Sequence, residues 1–136
     1  MEITIKRHIK QMNAKERDFL NNKIRPDMIK NFNIDKALTY HSYSRFQSKF
    51  PVPLTKEEIT ETIITGDFIE YKKIYENNIL IDKRIVLRKN MKNDSEYDLV
   101  LVYSLMKNKI ITVWDNHKDD LHRTLNLNKY SRTPIC

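Results

Sequence analysis

The chain has 136 residues, enough for one domain with a real core, since a domain of this size buries roughly two-thirds of its unfolded surface. A hydrophobic fraction of 40% argues against a disordered chain, and the longest strongly apolar run, residues 99–103, is too short to span a bilayer. The formal net charge of +7 favours polyanionic partners such as nucleic acid or acidic proteins; the bland alternative is a well-solvated basic surface.

The basic excess begins early: residues 1–30 hold 8 basic and 4 acidic side chains, whereas residues 31–66 balance to zero. The one cysteine, Cys136, excludes an internal disulfide and suits a reducing compartment. The first residues become charged without an apolar stretch, so no secretory signal is expected. Together these suggest a cytoplasmic protein. Gly66 is the only glycine, which excludes glycine-rich phosphate loops and dinucleotide fingerprints. A phosphate would have to be held by side chains or helix ends, and no cofactor is expected.

In chain order, residues 2–6 alternate as a short strand would. Residues 9–32 have helical spacing through Ile9, Met12, Phe19, Leu20 and Ile24, with a break expected near Arg25 and a second helix starting at Pro26. Residues 39–49 read as helix, anchored by Tyr40, Tyr43 and Phe50, before Pro51 and Pro53 enforce extended chain. Thr55-Lys-Glu-Glu58 is a capping-box sequence that opens the next helix, and Gly66 lies where a left-handed residue often ends one. The period then shifts to that of strands over residues 68–75, 79–89, 97–105 and 109–115. Leu99 to Val102 is apolar on both faces, as in a central strand, and Asn108 is placed to take positive φ in a hairpin turn. The expected fold is α+β: N-terminal helices followed by a four-stranded, mainly antiparallel sheet.

Four residues could carry chemistry. His41 and Arg45 lie four apart, on one helix face, where an imidazole can accept a proton and a guanidinium can hold a phosphate. Arg88 ends the apolar run Ile85-Val-Leu87, a position from which it could reach a cleft at the sheet edge. His122 follows the last strand in a polar stretch with His117, Asp119 and Asp120. That stretch reads three ways: a metal site of no recognisable zinc spacing, a second acid/base histidine opposite His41, or a turn whose Asp and Asn cap backbone groups. Metal-free RNA cleavage needs two imidazoles flanking one phosphate, with cations to hold it; no metal is assigned. Lys10, Lys15 and Arg17 are candidate RNA contacts, and Tyr43 could stack on a base. Trp114 could stack too, but on an inner strand it is expected in the core.

The order of these motifs resembles small phage and toxin proteins of the barnase/EndoU/colicin/RelE-type ribonuclease superfamily. The resemblance rests on His41-Ser-Tyr-Ser-Arg45, then Leu54-Thr-Lys-Glu-Glu-Ile59, then Gly66-Asp-Phe-Ile-Glu70, followed by Ile85-Val-Leu-Arg88 and a hairpin over residues 99–114. It covers residues 38–115, and so implies a ribonuclease-like core there, a basic helical extension over 1–37 and a polar C-terminal segment over 116–136. It implies a helix-then-sheet fold and metal-independent cleavage of single-stranded RNA or tRNA. His41 and Arg45 carry over by motif, Arg88 only by position, and His122 not at all. RNA is the implied partner, with a cognate inhibitor or host protein as a further one. The competing expectation is a non-enzymatic phage-encoded protein that inhibits a host protein or binds nucleic acid.

Overall fold

The computed structural model describes residues 1–50, 53–119, 129–132 and 134–135. Strand β1 (Glu2–His8) leads through a 3-10 turn (Ile9–Gln11) into α1 (Ala14–Phe19), a π-helical turn (Leu20–Ile24) and α2 (Arg25–Asn31). The short α3 (Ile34–Ala37), α4 (Tyr40–Gln47) and α5 (Lys56–Thr65) follow, then β2 (Asp67–Glu76), β3 (Ile79–Asn90), β4 (Tyr97–Ser104) and β5 (Lys109–His117). No helix among the described residues is long and apolar enough to cross a membrane.

The architecture is α+β, but the antiparallel sheet has five strands rather than four, in the order β1-β2-β3-β4-β5. The alternating segment at the N-terminus runs on to His8 and pairs with β2, Glu2 opposite Glu76 and His8 opposite Glu70. Residues 1–37 are therefore built into the fold. They supply an edge strand and the core residues Met12, Leu20, Ile24, Met28 and Ala37.

Local chemistry explains the helices. Asn13 accepts from the Glu16 amide and the Glu16 carboxylate accepts from the Asn13 amide, a reciprocal cap that starts α1. A second helix does begin with Pro26 in its first turn, as expected, but the chain stays helical before it instead of breaking near Arg25. The proline ring crowds the carbonyl four residues back and it has no N–H, and the wider π-helical turn just before it carries the chain past without a stop. Thr55 caps α5 through the Glu58 amide at 3.1 Å. The Glu58 carboxylate turns instead to the Lys92 amide, tying α5 to the loop after β3.

Gly66 is not left-handed: its φ is −64°. The last turn of α5 is closed from outside, because the Arg25 guanidinium donates to the carbonyls of Ile63 and Gly66 and lies over the Phe68 ring. Glycine is needed there for a steric reason, since a Cβ at position 66 would stand 2.4 Å from the Thr62 carbonyl oxygen. The hairpins follow turn chemistry. Asn77 and Asn78, both at positive φ, close β2 to β3, and Asn108 at φ 54° turns β4 into β5 as expected.

The helices cover one face of the sheet. There Leu20, Met28, Phe46, Leu54, Ile59 and Ile63 pack against Tyr71, Ile85, Leu87, Leu99, Leu101 and Val113 in one apolar core. The second face carries a smaller cluster of Val86, Val100 and Val102, edged by Ile69 and Ile111. Beyond β5 the chain reaches the opposite edge. The Ser131 amide donates to the Lys6 carbonyl at 2.6 Å, and the Lys6 amide donates to Ser131 Oγ at 3.2 Å, which blunts the exposed edge of β1.

That corner is fastened by a buried ion pair. Arg7 donates through Nε and Nη2 to the two carboxylate oxygens of Glu16, at 3.0 and 2.8 Å, and through Nη1 to the Ser131 carbonyl. The Ile135 amide also donates to Glu16. Burial alone would raise the Glu16 pKa, but the bonds from Arg7 and from the Asn13 and Ile135 amides outweigh it and hold the carboxyl below its ordinary value.

Candidate functional site

On the second face of the sheet the register lines up a row of cations, with the carboxylates of Glu70, Asp82 and Asp98 on the same face. Lys6 lies opposite Lys72, Lys72 opposite Arg84, Arg84 opposite Ser104, and Ser104 opposite Lys109. Directly opposed residues share a face, so four cations form one row across all five strands. At a strand spacing of about 4.8 Å the row is roughly 19 Å long. Like charges directly opposed destabilise a sheet, and Lys6 against Lys72 is such a pair.

One of the four is neutralised. Arg84 Nε donates to Asp82 at 2.8 Å, and Asp82 also accepts from Ser104 Oγ at 2.6 Å. Burial works to raise the Asp82 pKa, yet its bonds from Ser104, Arg84 and the Lys83 amide leave it lowered, so the pair stays ionised. Lys6 rests its ammonium 4.6 Å from the Tyr130 ring centroid. The Tyr130 hydroxyl is pushed above its ordinary pKa, first by burial and then by its bond to Glu70. Lys6, Lys72 and Lys109 have no carboxylate partner among the described residues.

Four residues along β3 from Arg84, Arg88 forms part of the wall of a cleft of about 400 Å³ with His8, Lys10, Asn90, Asp98 and Lys118. Arg88 is itself buried. Its Nε donates to Asp98 at 2.6 Å and its Nη2 to the His117 carbonyl at 3.1 Å, while Asn90 holds the other Asp98 oxygen at 3.0 Å. Ile9, Asp67 and Ile69 also line an adjoining depression of about 370 Å³ that includes Arg17 and Arg25. Trp114 belongs to this face as well. It pairs across the sheet with Val100, which pairs with Arg88, and it is 36% exposed rather than in the core.

The proposed site residues thus fall into two groups. Lys10, Arg17 and Arg88 border adjoining depressions on one side of the molecule. The Arg17 guanidinium is engaged with the carbonyls of Ile9 and Met12, and Lys15 is exposed on α1. His41 and Arg45 are exposed on α4, whose Phe46 is buried in the core on the helical face, so the sheet lies between them and Arg88. Tyr43 is spent on structure, packing on that core while its hydroxyl donates to the Leu54 carbonyl. His122 and Asp120 lie outside the described residues, among which no cluster of His, Cys, Asp or Glu is arranged to hold a metal ion.

No protein-family model matches this chain, and no curated protein or solved structure is significantly similar to it. The cationic row went unread in the sequence because it joins residues up to about a hundred positions apart. Its only local trace is the alternation of Lys and Arg along β2 and β3, which reads as an ordinary solvated face.

Proposed function

We propose that the protein binds nucleic acid, without cleaving it, through the phosphates of a strand laid across the second face of its sheet. The observation that carries this reading is the row Lys6, Lys72, Arg84 and Lys109, which sets Lys6 directly beside Lys72, next to the Asp82-paired Arg84, with Lys109 beyond Ser104. A phosphate backbone repays the cost of that arrangement, because each cation it meets releases a condensed counterion. Beyond the row, Lys10 and Lys89 add cations at the cleft beside Asp67 and the buried Arg88–Asp98 pair. The test is fluorescence anisotropy with a labelled RNA over a series of salt concentrations. Tight binding that does not respond to salt would count against phosphate recognition and favour a protein partner, such as the host target of an inhibitor.

Metal-independent endoribonuclease activity is the second reading. It is favoured by the resemblance of the motifs to the barnase/EndoU/colicin/RelE group and by the exposed His41 and Arg45 on one face of α4. A 2′-OH attack needs its base and its phosphate clamp within a few ångströms of one phosphorus. Arg88 stands on the far side of the sheet from His41, so a cleavage site at α4 would have to work without it. Incubating RNA with the purified protein in EDTA decides between the readings. Products ending in 2′,3′-cyclic phosphate that disappear in His41→Ala would establish cleavage at α4; intact RNA in a bound complex supports the binding reading.

A further inference from the structure

We infer that the strand bound on this face is single-stranded, and that Trp114 stacks on one of its bases. The inference rests on the reading of the cationic row as a phosphate site. Trp114 stands near the middle of β5, the strand that also carries Lys109, and shares a cross-strand row with Val100 and Arg88. Its neighbour Val113 points to the other face and is fully buried in the core, while the indole is 36% exposed. An exposed indole on a strand is a standing cost in apolar hydration, and core packing does not account for it.

The cations of the same face select the ligand: Lys109 stands on the same strand as the indole, about 17 Å away at 3.4 Å per residue. Trp114 shares the face with Lys72 and Lys109, the two cations of the row that have neither a carboxylate nor an aromatic ring as partner among the described residues. Aromatic faces interleaved with cations hold unpaired bases, since the ring stacks on any base while the cations follow the backbone. A duplex keeps its bases stacked inside and offers this surface phosphates alone. Tyr130, the other aromatic on this face, does not compete for the role, because it is packed edge-on to His8 and bonded to Glu70.

Trp114 is the only tryptophan of the chain, so intrinsic fluorescence reports on this position alone. The experiment titrates the full chain with a single-stranded oligouridylate, with a duplex of equal length, and with heparin, a polyanion without bases. Single-stranded RNA should quench the fluorescence, and heparin should bind without quenching. Trp114→Ala should weaken the single strand about five- to hundred-fold and leave heparin binding unchanged, with Trp114→Phe retaining most of the affinity. If oligouridylate binds without quenching, or binds Trp114→Ala as tightly as the natural chain, stacking is refuted while the phosphate site stands. If none of the three probes binds, the phosphate reading fails and this inference falls with it.

Discussion

Replacing Lys72 and Lys109 together by glutamine tests the cationic row at its two least occupied members. Lys72 faces Lys6 on one side and Arg84 on the other, and Lys109 ends the row on β5. Each phosphate contact on a single strand contributes about −0.7 to the slope of log K against log salt. Three cations without a carboxylate partner predict a contribution of about −2, and the double variant should keep about −0.7 of it. The same change acts oppositely on stability. A directly opposed like-charge pair costs on the order of 0.2–1 kcal/mol, and Lys72→Gln removes the one with Lys6, the Arg84 charge being already matched by Asp82. The double variant should therefore unfold at a slightly higher urea concentration while binding RNA more weakly. Anisotropy at four or five salt concentrations reads the first effect and urea titration the second. An unchanged salt slope would refute the row as the phosphate site. A loss of stability would refute the claim that these charges are held against the interest of the fold.

Three further expectations follow from the geometry. Glu16→Gln leaves the Arg7 guanidinium buried without its carboxylate and should cost about 3–5 kcal/mol in urea unfolding. Because the folded Glu16 pKa lies below its ordinary 4.5, its contribution is full above that value and is lost as the pH falls through the folded pKa. The natural chain should thus lose stability on acidification below about pH 5, and Glu16→Gln should lose less; parallel pH profiles would contradict the assignment. Gly66→Ala should destabilise by about 1–3 kcal/mol, because its Cβ meets the Thr62 carbonyl, which is backbone and cannot swing aside. An unchanged melting temperature would show that α5 ends differently. His41→Ala and Arg45→Ala, both exposed, should each change stability by less than about 0.5 kcal/mol. On the cleavage reading His41→Ala should still slow the reaction about 10²–10⁴-fold, whereas on the binding reading RNA affinity changes little.

Features that depend on residues within about four positions were open to the sequence alone. The shift from helical to alternating period at Gly66, the Thr55 cap and the positive φ of Asn108 all belong to this class. The Asn13-Ala-Lys-Glu16 cap and the Asn77-Asn78 turn belong to it too and were equally readable, since each is a local signature with a local cause. What only the tertiary structure decided are questions of partner and side. Residues 2–8 alternate with or without a neighbour, and pairing with β2, beyond all the helices, is what makes them a fifth strand. Glu16 reads as an ordinary exposed helix residue until Arg7 and the chain at Ile135 close over it. Gly66 reads as a left-handed stop until Arg25 arrives to bond the last carbonyls of α5. Arg88, His41 and Arg45 read as one site because a sequence does not say on which side of a sheet a residue stands. Alternation sorts the residues of one strand into two sets, but packing against the helices assigns each set its face, and strand register alone turns distant lysines into a row.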